Sequence, residues 1–217
     1  MTTSSRVLNL REVGGAGLQD DRPRTVYRAG TDAGVPASAY PSGLVAVVDL
    51  RREDEVHAVV HPLATEPGYR NVPLFDPSTI ESDAGAVQLE DQYVDWLDRH
   101  ASGIAAALRT IGSADGDVLV CCSAGKDRTG IVSALLARLW GASPARVGTD
   151  YAASGAALVD RFAAERAVST DREATAIAQR CVPETMTTVI RHVEQRWGSV
   201  RAYLLAIGLT DAEVAAL

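Results

Sequence analysis

The sequence predicts an α/β fold: a small, mostly parallel central sheet surrounded by helices, with a helix-rich C-terminal half. Three observations carry this. Short apolar, β-branched runs such as GLVAVVDL (43–50) and DVLVCC (117–122) recur among helical segments in the sheet-forming part, about residues 1–128. From residue 129 to 217 the apolar spacing is helical almost throughout. The chain of 217 residues, 47% hydrophobic and 23% charged, can bury a sizeable core, so 1–217 is expected to form a single domain.

The elements follow in order. VLNL (7–10) and TVYR (25–28) read as short strands, and GLVAVVDLR (43–51) as a buried strand ending in charge. YRNVPL (69–74) is a further short strand with Pro73 near its end. A helix is expected from Val87 to Ile111, because Leu89, Tyr93, Leu97, His100, Ile104, Leu108 and Ile111 recur at steps of three and four. DVLVCC is bounded by Gly116 before it and a turn sequence after it. TGIVSALLARLWG (129–141) reads as a helix closed by Gly141, and Ser143-Pro144 as the cap and first turn of the next. The alanine-rich stretch 152–167 reads as a weakly anchored helix pair. Thr170-x-x-Glu173 and Thr210-x-x-Glu213 have capping-box spacing, and a helix is expected from Pro183 to a stop at Gly198.

Net charge is -7, which offers no basic face for nucleic acid or for a membrane surface. The longest apolar runs are strand-sized, so no stable membrane insertion is expected. MTTSSRVLNLREVGG contains no apolar core of signal-peptide length, and three cysteines make no disulfide framework. A cytoplasmic location is the default expectation, and export without a cleavable signal would leave the same features. No cofactor is expected. No cluster of His and carboxylate residues suggests a metal site.

The chemistry concentrates in VLVCCSAGKDRTG (118–130). A strand delivers Cys122, five residues turn, and Arg128 opens a helix. The helix start carries unpaired N–H groups and partial positive charge, and a loop wrapped around it aims successive amides at one centre. Ser123, Ala124, Gly125, Lys126, Asp127, Arg128 and Thr129 are thus the expected phosphate-binding residues. Arg128 can grip two phosphate oxygens in a planar fork. Cys122, its thiolate favoured by the same field, is placed for in-line attack on phosphorus, giving a phosphocysteine that water hydrolyses. The hydroxyl of Thr129 can donate to the departing thiolate.

The leaving oxygen needs a proton, and two carboxyls are candidates. Asp127, fixed inside the loop, is favoured over Asp76 in PLFDPS, which reads equally as a turn residue before Pro77. Lys126 is expected to add positive charge at the pocket rim, or else to be a solvated turn lysine. Two other phosphate motifs fail. GKD lacks the hydroxyl residue and spaced glycine of a nucleotide-triphosphate loop, and GGAGLQD has Asp20 where a dinucleotide fingerprint needs glycine.

On these residues the chain resembles the cysteine-dependent protein tyrosine and dual-specificity phosphatases, and most closely their bacterial PtpB-like branch. LNLREVGG, VYRAG, VVDLRREDE, TDYAAS and WGSVRAYLLAIGLTDAE extend the likeness over nearly the whole chain. The resemblance implies a central sheet ringed by helices and metal-free hydrolysis of phosphotyrosine, extending in some members to phosphoserine, phosphothreonine or phosphoinositides. The expected partner is thus a phosphorylated protein or a phosphoinositide. It also implies that the loop aspartate, Asp127, is the general acid, and its Lys-Asp-Arg run is similar to that of lipid-directed members. One departure stands out: Cys121 occupies the position before the nucleophile, where the family has His. The alternative reading is accordingly a phosphate-binding pseudophosphatase weakened at Cys121. Sulfur transfer through a persulfide gives no reason for the Lys-Asp-Arg-Thr-Gly run.

Overall fold

The computed structural model describes residues 6–75 and 88–217. A five-stranded sheet runs in the order β1-β2-β5-β3-β4. Its strands are β1 (Arg11–Glu12), β2 (Val26–Gly30), β3 (Ala46–Asp49), β4 (Tyr69–Asn71) and β5 (Val118–Cys122). Among the described residues, only the β1–β2 pairing is antiparallel. The last strand in sequence is therefore central, paired with β2 on one side and β3 on the other. Every residue of β5 is buried, which explains its unbroken apolar run.

Side-chain alternation along β5 divides two cores. Val118, Val120 and Cys122 belong to the larger core, with α3 (Ala101–Gly112), α4 (Arg128–Leu139) and α9 (Pro183–Trp197). Leu119 and Cys121 belong to the smaller one, with Tyr40, Val47 and Leu63. The adjacent cysteines thus point to opposite faces, and both are free thiols. Because β5 ends at Cys122, the turn after it lies at the carboxyl edge of the parallel strands, where open α/β sheets place ligands.

The helices are α1 (Glu53–Ala58), α2 (Leu89–Arg99), α3 and α4, α5 (Pro144–Ala152), α6 (Ser154–Ala157), α7 (Val159–Val168) and α8 (Arg172–Ala178), then α9, α10 (Val200–Ala206) and α11 (Asp211–Ala215). Three expectations are corrected. The helix expected over 87–111 is two helices, broken at His100, whose φ of -109° and ψ of 24° leave the helical region. Buried His100 instead packs its ring against Phe75 and Trp96. VLNL is a turn around Asn9, whose φ is +56°. α8 is capped by Asp171, which accepts from the Ala174 N–H at 2.9 Å, not by Thr170. The Thr210–Glu213 capping box, the Ser143 cap and the Gly198 stop form as expected. No helix of the described residues is long and apolar enough to cross a membrane.

The smaller core contains a buried histidine. His61 Nδ1 accepts from the Leu63 N–H at 3.0 Å, and its ring lies between Tyr40 and Tyr69. Burial lowers its pKa from 6.5 to about 4. The unfolded chain therefore takes up this proton first as pH falls. Stability from this group should decline between about pH 6.5 and 4, by on the order of 3 kcal/mol. Thermal unfolding of His61→Phe should show a shallower pH dependence across that window. Equal slopes for both proteins would reject this assignment.

Candidate active site

The loop 123–127 joins β5 to α4, and its backbone sets the geometry. Gly125 has φ +67°, and a Cβ there would sit 2.3 Å from the Ala29 carbonyl carbon, so only glycine fits against β2. The outward carbonyls are held one after another. Thr31 Oγ1 donates to the Cys122 carbonyl at 3.1 Å, and the Thr31 N–H to the Ser123 carbonyl at 3.0 Å. Asn9 Nδ2 donates to the carbonyls of Ala124 and Gly125 at 3.2 and 2.9 Å. Arg28 Nη2 reaches the Gly125 carbonyl at 2.9 Å, and Arg161 Nη1 the Ser123 carbonyl at 2.9 Å.

With its carbonyls tied outward, the loop keeps its amides unspent. Among the described residues, no backbone N–H from Ser123 to Asp127 donates to a protein acceptor. Five consecutive free amides at a helix start form an anion-binding nest.

Buried ion pairs support the frame. Asp150 binds Arg28 at 2.6 Å and Arg11 at 2.7 Å, and Arg11 Nη1 also donates to Asn9 Oδ1 at 2.5 Å. Burial would raise the Asp150 carboxyl, but Arg28 and Arg11 together hold it below the ordinary carboxylate range. The segments LNLRE, VYRAG and TDYAAS therefore meet at one place: the outside of the loop.

Arg128 opens α4, and Glu55 of α1 clamps it. Nη1 and Nη2 donate to the two carboxylate oxygens at 2.5 and 2.8 Å, and Phe75 lies 5.3 Å from the guanidinium carbon. Among the described residues, no acceptor binds the Arg128 Nε–H. Burial opposes the Arg128 charge, but Glu55, then Cys122, then Asp127 outweigh it and raise its pKa. Cys122 is 2% exposed at the end of β5. The buried Thr129 hydroxyl has no hydrogen-bond partner among the described residues.

Asp127 Oδ1 accepts from the Tyr93 hydroxyl and from Lys126 Nζ, the latter at 2.8 Å. Among the described residues, Oδ2 takes no hydrogen bond. Burial, then the Asp127 charge, pushes Tyr93 well above the usual tyrosine range, so it stays a neutral donor. Tyr151, 2.9 Å away, joins the two hydroxyls into one network. Lys126 lines the cavity over Cys122, but its side chain is buried and not solvated, and Nζ also donates to the Ala178 carbonyl of α8 at 2.6 Å. Asp76, the second acid candidate, lies outside the described residues.

A cavity of about 590 Å³ opens over Cys122, Asp127 and Arg128, walled by α7 and α8 through Arg161, Phe162 and Ala178. Cys121 faces the other core, fully buried. Burial, then the charge of Asp49, raises its thiol well above the usual range. Glu55 and Tyr151 lie inside VVDLRREDE and TDYAAS, two segments of the family likeness, but nothing in those segments shows their roles. Tyr93 shows only as part of an apolar helix face, and Arg161 has no motif of its own. Arg28 carries a further signal, a charge inside an otherwise apolar strand. Among the described residues, no group of three or more His, Cys, Asp or Glu could hold a metal ion.

Comparison with known proteins shows the family of the chain. A family model described as "Tyrosine phosphatase family" matches residues 2–217. A tyrosine-protein phosphatase of Nostoc commune is 28% identical over 183 residues, covering 77% of this chain. The match spans 62% of that relative's length, less than two thirds of it. With the family model covering nearly every residue, the chain belongs to the tyrosine phosphatase family.

Proposed function

We propose that the protein is a phosphatase domain, over 1–217, that hydrolyses phosphotyrosine through a phosphocysteine on Cys122. The observation that carries this reading is the row of free amides between a buried thiol and a clamped arginine. Phosphate enters the nest with its oxygens on the amides of Ser123 to Asp127 and on the Nε edge of Arg128. The Cys122 sulfur forms a bond to phosphorus as the bond to the tyrosyl oxygen breaks. Asp127 gives its proton, carried on Oδ2, to that oxygen. Water then attacks phosphorus, Asp127 takes a proton back, and the sulfur leaves with its electron pair while Thr129 donates to it. Tyr93 and Lys126 hold Oδ1 and so fix which oxygen faces the substrate.

Preorganised amides supply charge stabilisation without reorganisation at the moment of reaction. Lys126 is committed to Asp127 and to Ala178, so it offers little to a second phosphate. This puts phosphotyrosine ahead of phosphoinositides, and phosphoserine and phosphothreonine, whose shorter side chains must reach the same floor, behind it. The test is phosphate release over a panel of phosphopeptides and phosphoinositides. Activity should persist in EDTA and fall with vanadate. Phosphate release that is lost on chelation and restored by a divalent ion would refute the mechanism.

Asp127→Asn should lower kcat for phosphotyrosine by about 10²-fold, the usual contribution of a placed proton donor. The loss should be smaller for p-nitrophenyl phosphate, whose leaving oxygen is stable without a proton. Equal losses on both substrates would point away from Asp127 as the acid.

A further inference from the structure

The alanine-rich stretch after α5 has no part in the reaction above, yet it is exposed where a partner could reach it. Ala153, Ala156, Ala157 and Val159 are all exposed and line one groove, of about 1010 Å³. Leu8, Leu10 and Val59 line it too. Val159 is 56% exposed and Val59 39%, unusual for side chains that bury readily. The groove also contains Asn9 and Thr31, which hold the loop carbonyls.

This groove adjoins the catalytic cavity. Arg161 lines both, so one side chain is their shared wall. That arginine is fixed by hydrogen bonds to the Ser123 carbonyl and hydroxyl, each 2.9 Å, and by Glu165 at 2.8 Å. A phosphotyrosine seated over Cys122 brings its neighbouring residues out over the cavity mouth. An extended chain advances about 3.3 Å per residue and turns alternate side chains to the same face. A side chain a few residues away would then meet the aliphatic walls beyond Arg161. Asp32 and Asp160 line the groove together with Arg6 and Arg161, so its charges balance and its aliphatic walls set the preference.

We propose that this groove is a substrate subsite that takes an aliphatic side chain flanking the phosphotyrosine. The proposal rests on the phosphatase reading and adds the class of protein substrate. It is tested by kcat/KM for phosphotyrosine peptides carrying leucine at the flanking positions, against the same peptides carrying serine. p-Nitrophenyl phosphate, which reaches no groove, serves as the second substrate. The native protein should prefer a leucine peptide by about fivefold to tenfold, the effect of half-burying one leucine side chain. Ala156→Asp and Val159→Asp, both at exposed positions, should erase that preference and leave p-nitrophenyl phosphate turnover unchanged. No leucine preference in the native protein, or a preference that survives both substitutions, would overturn the subsite. Failure of the native protein to turn over p-nitrophenyl phosphate would strike the phosphatase reading itself, and the subsite with it.

Discussion

Replacing Cys122 with serine should abolish phosphotyrosine hydrolysis, by at least about 10⁴-fold, while phosphate binding survives. The asymmetry follows from which atoms do which work. Binding comes from the backbone amides of Ser123 to Asp127 and from Arg128, none of which the substitution touches. Chemistry comes from a thiolate, and a serine hydroxyl here has no base to activate it. Asp127 is the nearest carboxyl in the loop, but its proposed task in the first step is to give a proton rather than accept one. The exchange of sulfur for oxygen at a site 2% exposed leaves little cavity, so the fold should hold. Phosphate release gives the first quantity and calorimetric titration with inorganic phosphate the second. Residual turnover within about tenfold of native, little more than 1 kcal/mol in the barrier, would remove Cys122 from the mechanism.

The strand that ends in Cys122 was legible because burial on both faces writes an unbroken apolar run, which short periodic patterns cannot hide. The same holds for the loop: a thiol, a glycine and an arginine at fixed spacing between strand and helix need no tertiary knowledge. What stayed hidden was long-range. Glu55 lies 73 residues from Arg128 in sequence, and Asn9 116 from Gly125, so no local pattern links them. The partners of Lys126 are hidden for the same reason. A loop lysine is usually solvated, but α8 folds back to offer the Ala178 carbonyl, and that helix lies far along the chain. The break at His100 leaves no mark in the sequence, because the apolar stripe continues through it across both helices.

Cys121, at the position where the resemblance implies His, gains a physical reading from the same geometry. Thr31 at the end of β2 donates from both its hydroxyl and its amide to the Cys122 and Ser123 carbonyls. The loop start is therefore fixed from the neighbouring strand. Cys121, packed in the smaller core, is left as a small apolar residue.

Arg128→Lys should cost on the order of 10³-fold in kcat/KM, even though the charge is kept. The guanidinium is divided between two tasks. Its Nη1 and Nη2 edge is spent on Glu55, and in the proposed mechanism its Nε edge takes the phosphate. An ammonium has no second edge, so it satisfies the carboxylate or the phosphate but not both in one geometry. Glu55→Gln tests the division from the other side. It leaves the arginine charged but loosens its aim, so it should lower kcat/KM by less than Arg128→Lys does. The pair has a pH signature as well. Burial would raise the Glu55 carboxyl, but Arg128 holds it below its ordinary value of 4.5. The unfolded carboxylate therefore takes up a proton before the folded one. The stability this pair contributes is fully present above about pH 4.5 and is lost as pH falls through the folded value. Thermal unfolding of Glu55→Gln should lack that acid-side loss. If Arg128→Lys retains near-native kcat/KM, or if Glu55→Gln costs more than Arg128→Lys, the bidentate fork is not what holds the transition-state charge.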